Sequence, residues 1–469
     1  MLTLTGQSDR HCDAASRREI LGIGSLGCFG LSLAELLRAE DAAGIKRSRK
    51  SIINIHLDGG PPQMDTIDPK PLAPLEVRGD VTPIATSLPG VQVSELMPCV
   101  ASLADRFAFI RTLVGSDGQH HAFQCQSGFG VKDLASFGGR PAMGSVIAKL
   151  EGRPDDPCPP FVDLLQGRPL VRNSARPGFL GPSYQPFRPD LSEMFPRELE
   201  PRMKGELADL GGGHQLSLAL NESLSVARLD NRQQLLDGLD RLRRAVDASG
   251  MMDAMDQFQQ QAAGILTSGR LAEALDLSRE DRRTRDRYTG PPLTGPLALY
   301  TAEGPESTQK FLLARRLIEA GVRVVSVSIS DFDTHTDNFG RMRQLVPIVD
   351  QGLAALVTDL EERGLIDDVT IVAWGEFGRT PKINDKAGRD HWPQVGPCLL
   401  AGGGLRTGVV IGETDRTAGS VLSRPVTYKD VFCTLYQTLG LDARRLTLTD
   451  PQGRPQYVLD EGEPIRELT

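Results

Sequence analysis

The sequence is short of most features that would place it quickly. It has seven cysteines in 469 residues and none in a CxxC spacing, which excludes a zinc knuckle and a thioredoxin-type redox pair. Two of the seven, Cys12 and Cys28, fall in the N-terminal leader, and the remaining five are an odd number whose pairing the sequence does not assign. No long basic stripe offsets the net charge of −8, and this argues against general nucleic-acid binding. Beyond the leader, nothing approaches the ~20 apolar residues needed to span a bilayer. No GxGxxG follows the first strand-like run, and no Gly-Lys-Ser/Thr completes Ala401-Gly-Gly-Gly-Leu405, which reads as a tight turn. A GxSxG elbow is missing as well, so a serine hydrolase of that type is excluded. Nor is there a convincing internal repeat.

What is present describes a globular protein. Hydrophobic residues make up 39% and charged residues 24%, enough for a sizeable core in one large domain with an insertion, or in two domains. Arg241-Leu-Arg-Arg and Arg282-Arg-Thr-Arg sit among acids in helix-patterned sequence and read as solvated faces.

The N-terminus reads as an address. Ser16-Arg-Arg-Glu-Ile-Leu21 precedes the glycine-rich apolar run GIGSLGCFGLSLAELL, the pattern of a twin-arginine export signal. The alternative is an amphipathic helix, but glycine at 22, 24, 27 and 30 costs such a helix roughly 1 kcal/mol each relative to alanine. Cleavage is expected after Ala39 or near Ala42-Ala43, and Cys28 lies too far inside the run for a clean lipid-attachment site. Residues 1–43 are therefore expected to be signal and linker, with the periplasm or cell envelope as destination.

Along the mature chain, apolar runs end in glycine or acid and alternate with helical patterns. Ser51–Asp58, Phe107–Val114, Val322–Ile329 and Asp368–Trp374 read as strands. Ser307–Ala320, Met342–Arg363 and Tyr428–Leu439 read as helices, and Pro397–Leu400 and Gly408–Ile411 continue the alternation. The expected class is α/β, a mostly parallel sheet sandwiched by helices. The core would comprise residues 50–184 and 300–469. The stretch 185–299, Pro-rich and then polar, would form a helical insertion or cap beside the site.

In parallel sheets, ligands bind outside the carboxyl ends of the strands. Asp58, the segment Asp331–Asn338 and Glu376 all fall at such ends. Asp331 and His335, four residues apart, would share one face of a helical turn and grip a divalent ion, with Asp333 or Asp337 as substitutes. A mixed carboxylate and imidazole set suits Zn, Mn or Fe better than Ca or Mg. His120, His121, His335 and His391 lie in polar, glycine-rich segments, although any one imidazole serves equally well as a hydrogen-bonded structural group. His56, inside the first strand, is expected to be structural, and His214 to be on the surface.

The order of these motifs resembles the alkaline phosphatase superfamily, which includes sulfatases and cofactor-independent phosphoglycerate mutases. SIINIHLDGG is similar to its first metal-binding strand, the stretch from SDFDTH to VTIVAWGEFG to its D-x-x-x-H motif, helix and following strand, and GRDHWP to its final histidine motif. More narrowly, the twin-arginine leader, HLDGGPPQMDTIDPKP, GEFGRTPKIN and GRDHWP together resemble the family called domain of unknown function 1501. The resemblance implies divalent metal ions (Zn, Mn or Ca), one held by Asp331, His335 and His391 and a second by Asp58 and Glu376. The family's Asp-His pair is replaced by Glu376-Phe377, which removes one imidazole from the second metal. A nucleophile is expected within RTLVGSDGQHHAFQCQSGFG, where no C-x-P-S-R sulfatase signature occurs. Ser116, His120 and His121 are the nearest candidates there, and Cys125 fits poorly. Arg379, and Arg389 likewise, would clamp an equatorial oxygen of the substrate, unless either only pairs with Asp385 or Asp390. The implied activity is hydrolysis of a sulfated or phosphorylated ester, in a small molecule or polysaccharide. The alternatives are a catalytically reduced relative that binds metal and an anionic polymer, and an envelope interaction protein.

Overall fold

The computed structural model describes residues 50–134, 138–153, 156–167, 174–195, 269–292 and 303–469. The expected leader, and most of the expected insertion, lie outside the described residues.

Eight strands form the main sheet: β1 (Ser51–Leu57), β2 (Ala108–Val114), β3 (Phe161–Leu164), β4 (Val324–Ile329), β5 (Val369–Trp374), β6 (Gly396–Gly402), β7 (Val409–Ile411) and β8 (Val426–Thr427). Their order is β7–β2–β6–β5–β1–β4–β3, with β8 also pairing with β2. Parallel pairs predominate: β1 with β4 and β5, β3 with β4, and β2 with β7 and β8. The sheet is nevertheless mixed, because β6 runs antiparallel to both β5 and β2. The reason lies in the connection. No helix separates Trp374 from Gly396, so the chain turns back as an antiparallel neighbour instead of crossing over.

Four helices cover the sheet: α1 (Met143–Glu151), α2 (Gln309–Ala320), α3 (Asn338–Glu362) and α4 (Tyr428–Thr438). Strand alternation sends Ile53, Ile55 and Leu57 into an apolar layer with Phe311 of α2 and Leu345, Val349 and Leu353 of α3. The opposite face, carrying Asn54 and His56, is more polar. There Trp374 packs 5.3 Å from the rings of Tyr428 and Phe432 of α4 and donates its indole N–H to Asn54 Oδ1 at 2.8 Å. Both faces are buried, which is why the strands read as near-continuous apolar runs.

Two further features bear on the sequence expectations. The first is Gly402-Gly403-Gly404, which all take positive φ (67°, 66° and 76°) and make the expected tight turn. The second is the described part of the expected cap. Its helices, Arg270–Leu275 and Arg282–Arg287, sit on α2 and α3: Arg316 donates to the carbonyls of Glu273 and Ala274, and Arg287 to Glu362. Glu362 ends α3, roughly 37 Å from its start at about 1.5 Å per residue, so these helices anchor at the end of α3 remote from Asn338. The five cysteines among the described residues form no disulfide, and no described helix is long and apolar enough to cross a membrane.

Candidate metal centre

Parallel pairing of β1 with β4 and β5 brings three strand ends together, since Leu57 faces Ile329 and His56 faces Trp374. Asp58, the 331–334 segment and Glu376 therefore emerge side by side. Gly59, at φ 103°, is a glycine because a Cβ there would collide with the backbone at Asp333. The loop after β2 adds His120. A two-residue ladder, Gly378–Arg379 against His391–Trp392, adds His391.

The centre of the cluster is Asp333. Its Oδ1 lies 3.1 Å from His335 Nε2, 3.2 Å from His391 Nε2 and 2.7 Å from the Arg379 guanidinium, and its Oδ2 lies 3.1 Å from His120 Nε2. The two outer imidazoles are oriented from behind. His391 Nδ1 lies 2.8 Å from the Gly118 carbonyl, which can only accept, so the proton sits on Nδ1. His335 Nδ1 is held in the same way by the Asp390 carboxylate at 2.6 Å. In neutral rings this leaves the Nε2 lone pairs of His335 and His391 facing each other at 3.1 Å and facing a carboxylate oxygen. Three acceptors aimed at one point repel one another unless a proton or cation lies between them.

A second group lies deeper. His56, Asp58 and Glu376, all buried, offer ligand atoms within 4.8 Å of one another, as do His120, Asp333 and His391. His120 links the two groups: its Nδ1 is 2.9 Å from Glu376 Oε1 while its Nε2 faces Asp333.

Electrostatics follow from this packing. Burial opposes the charged form of Asp333, but the His120 and His391 imidazoles against its oxygens and the charge of Arg379 outweigh it and hold its carboxyl well below the usual range. Burial likewise opposes charge on Glu376, and the His120 hydrogen bond and the proximity of His56 reverse the balance, lowering its pKa. Burial pushes the His56 pKa down, with Glu376 only partly opposing it.

A family model described as "Protein of unknown function (DUF1501)" matches residues 49–469. The chain belongs to the DUF1501 family. No match is found among curated proteins. Three solved structures are similar to this DUF1501 chain at low identity. Ps i-CgsB is 12% identical over 83% of this chain and 72% of that one, with a TM-score of 0.32. The phosphonate monoester hydrolase of Agrobacterium radiobacter is 14% identical over 89% and 77%, with a TM-score of 0.31. BT4656, solved with its substrate D-glucosamine-2-N,6-O-disulfate, is 12% identical over 90% and 82%, with a TM-score of 0.32.

Several placements in this DUF1501 site differ from expectation. The helical turn over Asp331–His335 does not form, because Asp331 takes a left-handed φ of 79° and α3 starts only at Asn338. Asp331 consequently belongs to neither ligand group, and Asp333 occupies the focal point in its place. Asp337 caps α3, its side chain accepting from the Gly340 N–H. Arg379 is fully buried and spends its donors on the carbonyls of Gly59, Gly60 and Arg389 and on Asp333. Arg389 is buried against Asp65. Neither guanidinium forms an ion pair with Asp385 or Asp390. Ser116 Oγ accepts from the Gly118 N–H, and His121 Nδ1 is 2.8 Å from Asp117. Both shape the loop that presents His120 without touching the cluster. Cys125 is fully buried, and burial raises its thiol pKa well above the usual value.

His56 is the residue that sequence reasoning set aside. The signal that would have found it is the strand period: in an all-buried β1, positions 56 and 58 share a face.

Proposed function

We propose that this DUF1501 protein is an exported, metal-dependent hydrolase of sulfate or phosphate esters, acting on a sulfated or phosphorylated small molecule or polysaccharide. The observation that carries the reading is the convergence of His335 Nε2, His391 Nε2 and Asp333 Oδ1 within 3.2 Å, with both imidazoles oriented from behind. The donor set fits a borderline divalent ion, Zn or Mn before Ca. It also has to be filled before an anionic ester can approach, because Asp58, Asp333 and Glu376 gather negative charge at one place.

Asp333, His335 and His391 would hold a divalent ion, which would supply Lewis acidity toward an anionic ester oxygen. The chain does the rest. Asp390 and the Gly118 carbonyl keep the ligand imidazoles in the tautomer that presents Nε2. Arg379 pins the Asp333 carboxylate to the backbone of the Gly59-Gly60 turn, acting as a positioning residue. His120, partly exposed and held at Nδ1 by Glu376, carries a proton at Nε2 between attacking water and leaving alcohol. Ser116 and His121 hold the loop that aims it. The twin-arginine pattern supports export to the periplasm or envelope.

A second reading, binding of an anionic ester without turnover, draws on Phe377. This buried ring stacks 4.3 Å from His391, at the position where the resembled families carry a ligand imidazole. The test is turnover of 4-nitrophenyl sulfate and phosphate by protein loaded with Zn, Mn or Ca. Turnover should fall roughly 100- to 10,000-fold in His120→Ala. No turnover with any of the three metals overturns the hydrolase reading, and calorimetric binding of the intact ester would then favour the second.

A further inference from the structure

We infer that His56, Asp58 and Glu376 form a second, inner divalent-cation site in which His56 supplies the imidazole that Glu376-Phe377 lacks. The inference rests on the proposed metal-dependent function for its purpose, since an inner ion would serve the same ester.

The argument begins with His56. Its side chain is completely buried, and neither ring nitrogen has a hydrogen bond. Leaving one buried polar group unsatisfied costs about 1–3 kcal/mol, so an imidazole with two such atoms needs a reason. Two carboxylate oxygens stand near Nε2, Glu376 Oε2 at 3.5 Å and Asp58 Oδ1 at 3.9 Å. Those separations exceed normal hydrogen-bond lengths. They match ligands around a shared ion, since donors each about 2.0–2.2 Å from one ion stand roughly 3–4 Å apart.

Glu376 has the complementary defect. Its Oε1 accepts from the Gly59 N–H at 2.9 Å and faces His120, whereas its buried Oε2 makes no hydrogen bond and points toward His56. The groups in direct contact with the Glu376 carboxylate include the imidazoles of His56 and His120, while the Arg379 guanidinium acts on it only through its charge. The other buried acid near this face, Asp163, is already paired with Arg188 at 2.9 Å. One nitrogen and two or more carboxylate oxygens, sealed from solvent, suit Zn, Mn or Fe. Position then gives the inner site a role. His120 stands between the groups, with one ring nitrogen on Glu376 and the other on Asp333, so ions in both sites would flank the imidazole assigned to proton transfer.

The decisive experiment is metal stoichiometry, read by elemental mass spectrometry after chelator stripping and reloading of the full chain with Zn²⁺. The wild type should hold two ions per chain. His391→Ala, His56→Gln and Asp58→Asn should each hold one, and His391→Ala combined with His56→Gln none. Two ions in folded His56→Gln would remove His56 from the ligand set, and a single wild-type ion lost in His391→Ala would overturn the inner site altogether. Should His56→Gln fail to fold, X-ray absorption on Zn-loaded His391→Ala decides: one imidazole on the retained ion supports the assignment, and none overturns it. Because stoichiometry is read without substrate, two ions with no ester turnover would leave the inner site standing and sink only the hydrolase reading.

Discussion

Two of the described regions that bury charge do it in opposite ways. Between α2 and α3, Glu280, Glu319 and Asp359 meet Arg315, Arg316 and Arg363. Arg315 reaches all three acids at 2.6, 2.5 and 2.8 Å, and Arg363 reaches the same three at 3.1, 3.0 and 2.8 Å. Arg316 adds a 2.8 Å contact to Glu280. The Tyr288 hydroxyl donates to Asp359 as well. Each carboxylate there has a guanidinium partner, and the network is complete without any outside help. At the strand ends, Asp58 and Glu376 face the His56 imidazole, and Asp333 meets three imidazoles as well as the Arg379 guanidinium. Balanced buried charge holds a fold together, whereas unbalanced acceptors aimed at one another are a place for a cation.

That contrast has measurable consequences. Asp359→Ala removes the most buried acid of the network, a shared partner of Arg315, Arg363 and Tyr288, and should destabilise the protein by about 1–3 kcal/mol, since Glu280 and Glu319 still pair with both guanidiniums. Denaturant unfolding measures this, and metal stoichiometry should not change. Asp390→Asn should do the reverse. Its side chain is about half exposed and supports His335 from behind, so stability should stay within roughly 0.5 kcal/mol while affinity at the outer site falls about 10- to 100-fold by calorimetry. If Asp390→Asn destabilises and Asp359→Ala strips metal, the division of labour is wrong.

The smallest effect belongs to a pair that is neither site nor core. Glu467, bridged to Arg424 at 2.6 Å, has its pKa pushed down to about 2 by the Arg424 hydrogen bond, against an ordinary 4.5. A depressed carboxylate contributes stability that is full above its unfolded pKa and is lost as pH falls through the folded one. The gap between wild type and Glu467→Gln should therefore close between about pH 4.5 and 2. Above that window it should not exceed ~1 kcal/mol, because the pair is about one-third exposed.

Much of the fold was legible from periodicity. The four expected strands appear within two residues of their expected ends, as do α4 and the C-terminal ends of α2 and α3. Short apolar runs and amphipathic helices carry their instructions locally, so reading them needs no knowledge of neighbours. The direction of β6 was not legible, because orientation depends on the path of the 375–395 loop and leaves no mark in the strand itself. In the site, the types and strand-end positions of Asp58, Glu376, His120 and His391 could be read from motifs. The exchange of Asp333 for Asp331 could not, because it turns on one left-handed backbone angle at Asp331. Nor could the fate of Arg379, whose guanidinium meets carbonyls contributed by a turn more than 300 residues away in the chain.

The sequence by itself determined the chemical inventory of this DUF1501 protein and its distribution along the chain: apolar runs that must become buried strands, and acids and imidazoles at their ends. Tertiary structure decided which of those groups face one another. A ligand cluster is a set of distances between segments remote in sequence, and those distances exist only once parallel pairing has set β4 and β5 on either side of β1.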